Sequence, residues 1–293
     1  ALNNCFQTLD CAKATWTVNA LNGEFNMIKL YHAGLSVCSI KVRLGLAEKE
    51  LEWESCPVDI RIGEQYNPEY LKLNPNAVVP TLVHDDFVVI ESSIILEYLD
   101  SLSEHNMLMP DSTRAKTLAR IWLLRCLDIH AAINTMTFST VNREKILSAQ
   151  TPEQIEKSID AMPNPLAAAK RRDLLTNGIA SSHLFAAFFT LQRLFEDMQN
   201  TLITTQWMTG ESYGIVDTAL LAYVDRIDRL GMAGLWQEKT PAVGDWLTQS
   251  KARPSYNTAI DPFINQQETE GARKIGDSLW PEVEKRWQGF LKA

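Results

Sequence analysis

The chain has no excess of basic residues: 28 Lys and Arg stand against 36 Asp and Glu, a formal net charge of −8. A nucleic-acid binder needs a clustered basic face, so this chain is a poor candidate for that class. Long apolar runs are missing as well. Stretches such as 87–90 and 94–96 fall far short of the ~20 residues that a spanning helix needs, so no membrane segment is expected. Residues 1–26 do not read as a signal peptide, because Asp10, Lys13 and Asn19 interrupt each apolar run. Cysteine is scarce. The five (Cys5, Cys11, Cys38, Cys56 and Cys126) form an odd set without a CxxC pair, which suggests neither a disulfide framework nor a metal site. The expected compartment is a reducing cytoplasm.

What is present is an ordinary globular balance, 45% hydrophobic and 22% charged, with enough apolar surface to offset the entropy of ordering. At ~100–200 residues per domain, two modest domains are expected. Residues 1–26 read as an appended extension of unknown role. Met27-Ile28-Lys29-Leu30-Tyr31 then reads as a short buried strand. A loop leads to a helix over 39–49, with Ile40, Leu44 and Ala47 on one face. A strand over 52–58 and a short helix near 68–73 follow. Two apolar runs, 79–84 and 87–90, flank Asp85-Asp86 and read as a β-hairpin. A helix over 92–101 closes a β-α-β-α-β-β-α unit, 27–103.

From about 113 the pattern is helical only. A long amphipathic helix is expected over 114–137, with Ala115, Leu118, Ile121, Trp122 and Arg125 marking a face. Residues 140–178 are polar and interrupted by Pro152, Pro163 and Pro165, and read as an irregular insertion with a short helix near 152–158. Helices resume over 180–200, 216–230 and 241–251. The second domain is placed at 113–260, and 261–293 reads as a charged tail with one more helix near its end.

Three segments carry chemistry. Pro80 precedes a strand, where a missing N–H is tolerated; a cis Val79-Pro80 bond would leave the Val79 main chain free to pair with a ligand's backbone, and the segment equally reads as a plain turn. Glu91-Ser92-Ser93 sits where a strand enters a helix, whose free N–H groups attract a carboxylate, though an ordinary N-cap has the same look. Ser36-Val37-Cys38-Ser39 precedes the first helix. A thiol there has its thiolate stabilised, yet a free cysteine is also a small buried hydrophobe, and Ser39 fits a simple cap.

Together these segments resemble the cytosolic glutathione transferase superfamily over roughly 225 residues, 27–250. The matching features are the Ser/Cys loop after the first strand, Asn74-Pro75 through Val79-Pro80-Thr81-Leu82, and Glu91-Ser92 eleven residues after Pro80. A late signature, Gly210 to Asp217, also matches, with Gly214 where the family places Ser or Thr. The resemblance implies an α/β plus all-α fold: an N-terminal thioredoxin-like domain that binds glutathione, then an all-helical acceptor-site domain. Val79 and Pro80 would meet the cysteinyl backbone of glutathione, and Glu91 and Ser92 its γ-glutamyl end. A His-Lys pair of related enzymes is replaced by Gln65-Tyr66, which leaves Gln65 as the neutral donor for the glycine carboxylate.

Ser36-Val37-Cys38-Ser39 is similar to the Ser-x-Cys-Ser of zeta-class enzymes and tetrachlorohydroquinone reductive dehalogenases. There Cys38 matches a cysteine that forms a mixed disulfide with glutathione, and Ser36 a serine that stabilises the glutathione thiolate. The insertion, with Pro163-Asn164-Pro165 and Lys170-Arg171-Arg172, resembles bacterial β-aryl etherases; in that alignment Ser39 falls on the serine near the glutathione sulfur. The basic run would contact an anionic acceptor or simply form a solvated face. The expected function is a glutathione transferase acting on an electrophilic aromatic or ether-linked small molecule. Its alternatives are a zeta-like isomerase of a dienone acid and a non-catalytic binding protein. A homodimer follows from the resemblance alone, and acceptor contacts are expected around Trp122, Arg125 and Phe138.

Overall fold

The computed structural model describes residues 27–292; the expected extension at 1–26 lies outside the described residues. Four short strands, β1 (Ile28–His32), β2 (Trp53–Pro57), β3 (Thr81–His84) and β4 (Phe87–Val89), form one sheet in the order β2-β1-β3-β4. β1 runs parallel to β2 and antiparallel to β3, with Leu30 opposite both Ser55 and Leu82. Because successive strand side chains point to opposite faces, the sheet builds two small cores. Leu30, Leu82 and Val89 pack with Val42, Leu46, Ile95 and Leu99 on one side. Tyr31 faces the other way and packs with Cys56, Val58, Tyr70 and Val79.

Helix α1 (Val37–Glu48) and α3 (Ser92–Ser101) cover the first side, and the short α2 (Pro68–Leu73) lies near the second. α1 starts two residues earlier than the apolar spacing predicts, because Ser36 rather than Ser39 is its N-cap and accepts from the Ser39 N–H. The helix is buried nearly all round. One face meets the sheet, and Val37, Ile40 and Leu44 meet the helical half.

The remaining elements are α4 (Thr113–Ser139), α5 (Val141–Ala149), α6 (Pro152–Asp160), α7 (Pro165–Asn177), α8 (His183–Leu202), α9 (Ile215–Arg229), α10 (Gly234–Gln237), α11 (Ala242–Lys251), α12 (Pro254–Ile260) and α13 (Gln266–Phe290). Two of these, α5 and α7, correct the reading of 140–178 as irregular, and α6 is the short helix expected near 152–158. Pro152 and Pro165 occupy first-turn positions behind capping residues Thr151 and Asn164; a proline there loses no helical hydrogen bond, so it starts a helix rather than breaking one. The C-terminal helix is longer than the expected one and integral: Val283 and Trp287 are buried in the main core. No single described helix is long and apolar enough to cross a membrane.

Around α4 the structure also reverses an expectation. Ala119, Leu123, Cys126, Ile129, Ile133 and Met136 face the core, whereas Leu118 and Ile121 of the predicted face are exposed. At the start of α9, the Asp217 carboxylate accepts from the N–H groups of Met208 and Gly214 and from the Trp246 indole. A side chain on Gly214 would come within 2.3 Å of the Thr209 hydroxyl and 2.9 Å of the Leu108 carbonyl, so the missing Ser or Thr has no room here.

Candidate functional site

The loop after β1 brings Ser36, Cys38 and Ser39 to the start of α1. Their surroundings differ sharply. Ser39 is fully buried and its hydroxyl accepts from the Ala33 N–H at 3.3 Å. Ser36 is half-buried, capping the helix. Cys38 is partly exposed and packs against the main core. From α9, the Arg226 guanidinium donates to the Leu35 carbonyl and so holds this loop in place.

Cys38 faces residues from three other elements. It is hydrogen-bonded to His130 of α4, to Ser92 at the start of α3 and to the Tyr223 hydroxyl of α9, which also meets Cys126. Lys41, one turn further along α1, adds a positive charge. Its ammonium is buried, donates to Ser93 Oγ at 3.0 Å and lies 5.0 Å from the centre of the Tyr223 ring. Burial by itself would raise the thiol pKa, but the charges of His130 and Lys41 and the bonds from His130 and Ser92 outweigh it and bring it down to about 6. The same pairing acts on His130: burial disfavours its charged form, yet the facing Cys38 thiolate raises its pKa. Each group thus favours the charged form of the other. Such a thiolate is a nucleophile at neutral pH. Neither His130 nor Lys41 was expected from the sequence, where a lone His or Lys inside a helix has no local signature.

The Val79-Pro80 peptide bond is cis. Val79 is buried, and among the described residues its main-chain N–H and C=O have no hydrogen-bond partner. Below it, Tyr70 and Asn74 both donate to the Val78 carbonyl, at 2.6 and 3.0 Å, and fix the segment. Glu91 is exposed and has φ of 68°. That conformation is rare for a residue with a Cβ and is found where the surroundings enforce it, often at ligand sites. Ser92 is buried as the first residue of α3. Gln65 lies in a single turn of 3-10 helix, Glu64–Tyr66, and its Oε1 is buried without a partner. Thus Ser92 and Cys38 come together, and the other expected contacts lie on loops of the same thioredoxin-like half.

The residues expected around the acceptor do not gather. Trp122 and Arg125 pair with each other at 4.0 Å, and Arg125 bridges to Asp197 of α8 at 2.8 Å. Phe138 instead lies under the Arg171 guanidinium of α7, 3.3 Å from the ring centre.

Comparison with known proteins agrees with this fold. Residues 26–101 match the family described as glutathione S-transferase, N-terminal domain. Protein LigF of Sphingobium sp. (strain NBRC 103272 / SYK-6) is 29% identical over 237 residues, covering 78% of this chain and 91% of LigF. The crystal structure of beta-etherase LigF matches with a TM-score of 0.71 at 27% identity, covering 80% of this chain and 99% of that one. The tetrachloro-p-hydroquinone reductive dehalogenase of Sphingobium chlorophenolicum is 26% identical, covering 79% of this chain and 95% of its own. A zeta-class glutathione S-transferase of Euphorbia esula is 38% identical over 91 residues, 31% of this chain and 40% of that one. Residues 26–101 thus carry a glutathione S-transferase N-terminal domain, and over most of its length the chain has the fold of LigF and is similar to LigF and to the dehalogenase.

Proposed function

We propose that the protein is a glutathione transferase acting on an electrophilic aromatic or ether-linked small molecule, with Cys38 taking part in the chemistry. One observation carries this: a partly exposed thiol at a helix start, paired with His130 and Ser92 on the same half that holds the open Val79 main chain. The residues fit a small peptide. Val79 offers an unpaired N–H and C=O for a peptide backbone, Ser92 and Glu91 sit at a helix start suited to an α-amino acid end, and the amide N–H of Gln65 would serve the glycine carboxylate. When bound, glutathione supplies the thiolate that displaces an aryloxide or halide from carbon.

Ser36 would donate to that sulfur, while Ser39, buried and already bonded, keeps the loop in shape. In a reductive branch the Cys38 thiolate attacks the sulfur of the aryl thioether. The new S–S bond forms as the C–S bond breaks, the electron pair goes to the ring carbon, and that carbon takes the proton held by His130. A second glutathione thiolate then displaces Cys38 and restores it. Cys38→Ser should stall reductive turnover at the thioether, which mass spectrometry would detect; unchanged turnover would remove Cys38 from the chemistry. Calorimetric titration with glutathione should show saturable binding that weakens in Ser92→Ala, and no heat up to millimolar glutathione would sink the whole reading.

A cis–trans isomerase of a dienone acid is the second reading, favoured by the similarity to a zeta-class enzyme over 91 residues. It differs in consuming no glutathione. The same proposal includes a cytoplasmic setting, where reduced glutathione is abundant and the Cys38 thiol would stay reduced. It also includes a homodimer, in which Leu118, Ile121, Leu124 and Leu127, exposed along α4, would find a partner surface.

A further inference from the structure

The basic run Lys170-Arg171-Arg172 is divided by the fold. Arg172 is committed to other protein groups, bonded to Glu156 at 2.7 Å and to Asp160 at 3.1 Å. Arg171 is not: half-buried, it stacks on Phe138, and among the described residues no carboxylate or carbonyl is bonded to it. Burial pulls its pKa down to about 10. A guanidinium with an aromatic face beneath it keeps its N–H edge free, and a partly desolvated one gains most from a planar anion.

Phe138 is also the end of a ridge. His130, Asn134 and Phe138 follow one another at one-turn spacing on α4, all half-buried, while Ile129, Ile133 and Met136 beside them are buried. Eight residues of helix rise about 12 Å. The ridge therefore runs from the side chain that faces the Cys38 thiol to the one that carries Arg171, a length that suits two linked aromatic rings.

We infer that the acceptor lies along the His130–Asn134–Phe138 ridge with an anionic group, a carboxylate or phenolate, held by Arg171. This rests on the glutathione-dependent reading of the cleft, and it narrows the substrate class to elongated aromatic anions. It also separates Arg171 from Arg172 and Lys170, which the sequence presents as one run.

The test uses the full chain, saturated with glutathione, titrated calorimetrically with biphenyl carboxylate and with its uncharged carboxamide. The wild type should bind the carboxylate roughly tenfold more tightly, the scale of a charge-assisted pair. Arg171→Gln should abolish that preference and leave carboxamide binding unchanged, whereas Arg172→Gln should keep it. Equal binding of the two probes by the wild type, a preference that survives Arg171→Gln, or no binding of either probe overturns the inference. The glutathione titration, run first on each variant, certifies the fold and separates the two failures. If glutathione does not bind, the transferase reading falls. If it binds and the carboxylate gains nothing, only the role of Arg171 does.

Discussion

A thiol facing an imidazole and a buried ammonium ionises more readily than one in water, provided those charges outweigh the cost of burial. At Cys38 they do, and the pKa falls from 9.0 to about 6. Only the thiolate is alkylated, so iodoacetamide labelling of the Cys38 peptide should rise with pH and reach half its maximum near pH 6. His130→Gln removes the imidazolium and leaves the burial, so the midpoint should move up toward the ordinary value; a midpoint that stays near 6 would detach His130 from the thiol. A different single-residue effect is expected at Gly214. Gly214→Ser would supply the side chain that the family resemblance led one to expect, but into space taken by Thr209 and Leu108. Overpacking of this kind costs about 1–3 kcal/mol, and urea unfolding should show the loss. Cys38, Val79 and Ser92 were legible in the sequence because each sits in a short motif at a strand or helix end. His130, Lys41 and Arg171 were not, since they come from turns of helix that meet the site only after packing.

Among the elements, the join between α3 and α4 depends on a buried ion pair. Asp100, near the end of α3, accepts from the N–H groups of Leu108 and Met109 and lies 3.2 Å from the Lys49 ammonium, with both side chains nearly fully buried. Lys49 also donates to the carbonyls of Ser103 and His105 at 2.7 and 2.6 Å, so one cation closes the end of α1 onto the connecting loop. Lys49→Met leaves the Asp100 charge buried with only its backbone donors. A loss of about 3–5 kcal/mol is expected, measured by chemical denaturation; a change within experimental scatter would show that the loop is held by packing alone. Element boundaries near proline were where sequence reading went astray. A proline inside a polar stretch looks like a break, yet Pro165 is a helix start behind the Asn164 cap.

For the whole molecule, the exposed stripe on α4 is the feature that isolated burial leaves unexplained. Leu124 is 70% exposed, with Leu118, Ile121 and Leu127 beside it. In the proposed homodimer, Leu124→Glu would place an uncompensated charge in the interface and should shift the light-scattering mass from two chains toward one. A wild type that is monomeric at micromolar concentration would refute the dimer. The same helix shows why burial direction was misread. α4 is apolar on two sides, and periodicity identifies an apolar face without saying whether it meets the chain's own core or another surface.

By itself the sequence determined the alternation of strands and helices, the βαβαββα order of the first half, the helical character of the second and the motifs at strand and helix ends. These are local matters, set by side-chain period, turn chemistry and caps within a few residues of one another. Tertiary structure alone decided which of three neighbouring hydroxyls and thiols faces a charged partner, which face of α4 is inside, and which arginine of a basic run stays uncommitted. Those outcomes depend on groups 38 and 130, or 138 and 171, that are distant along the chain and become neighbours only when helices pack, where burial and pairing set the charge of each.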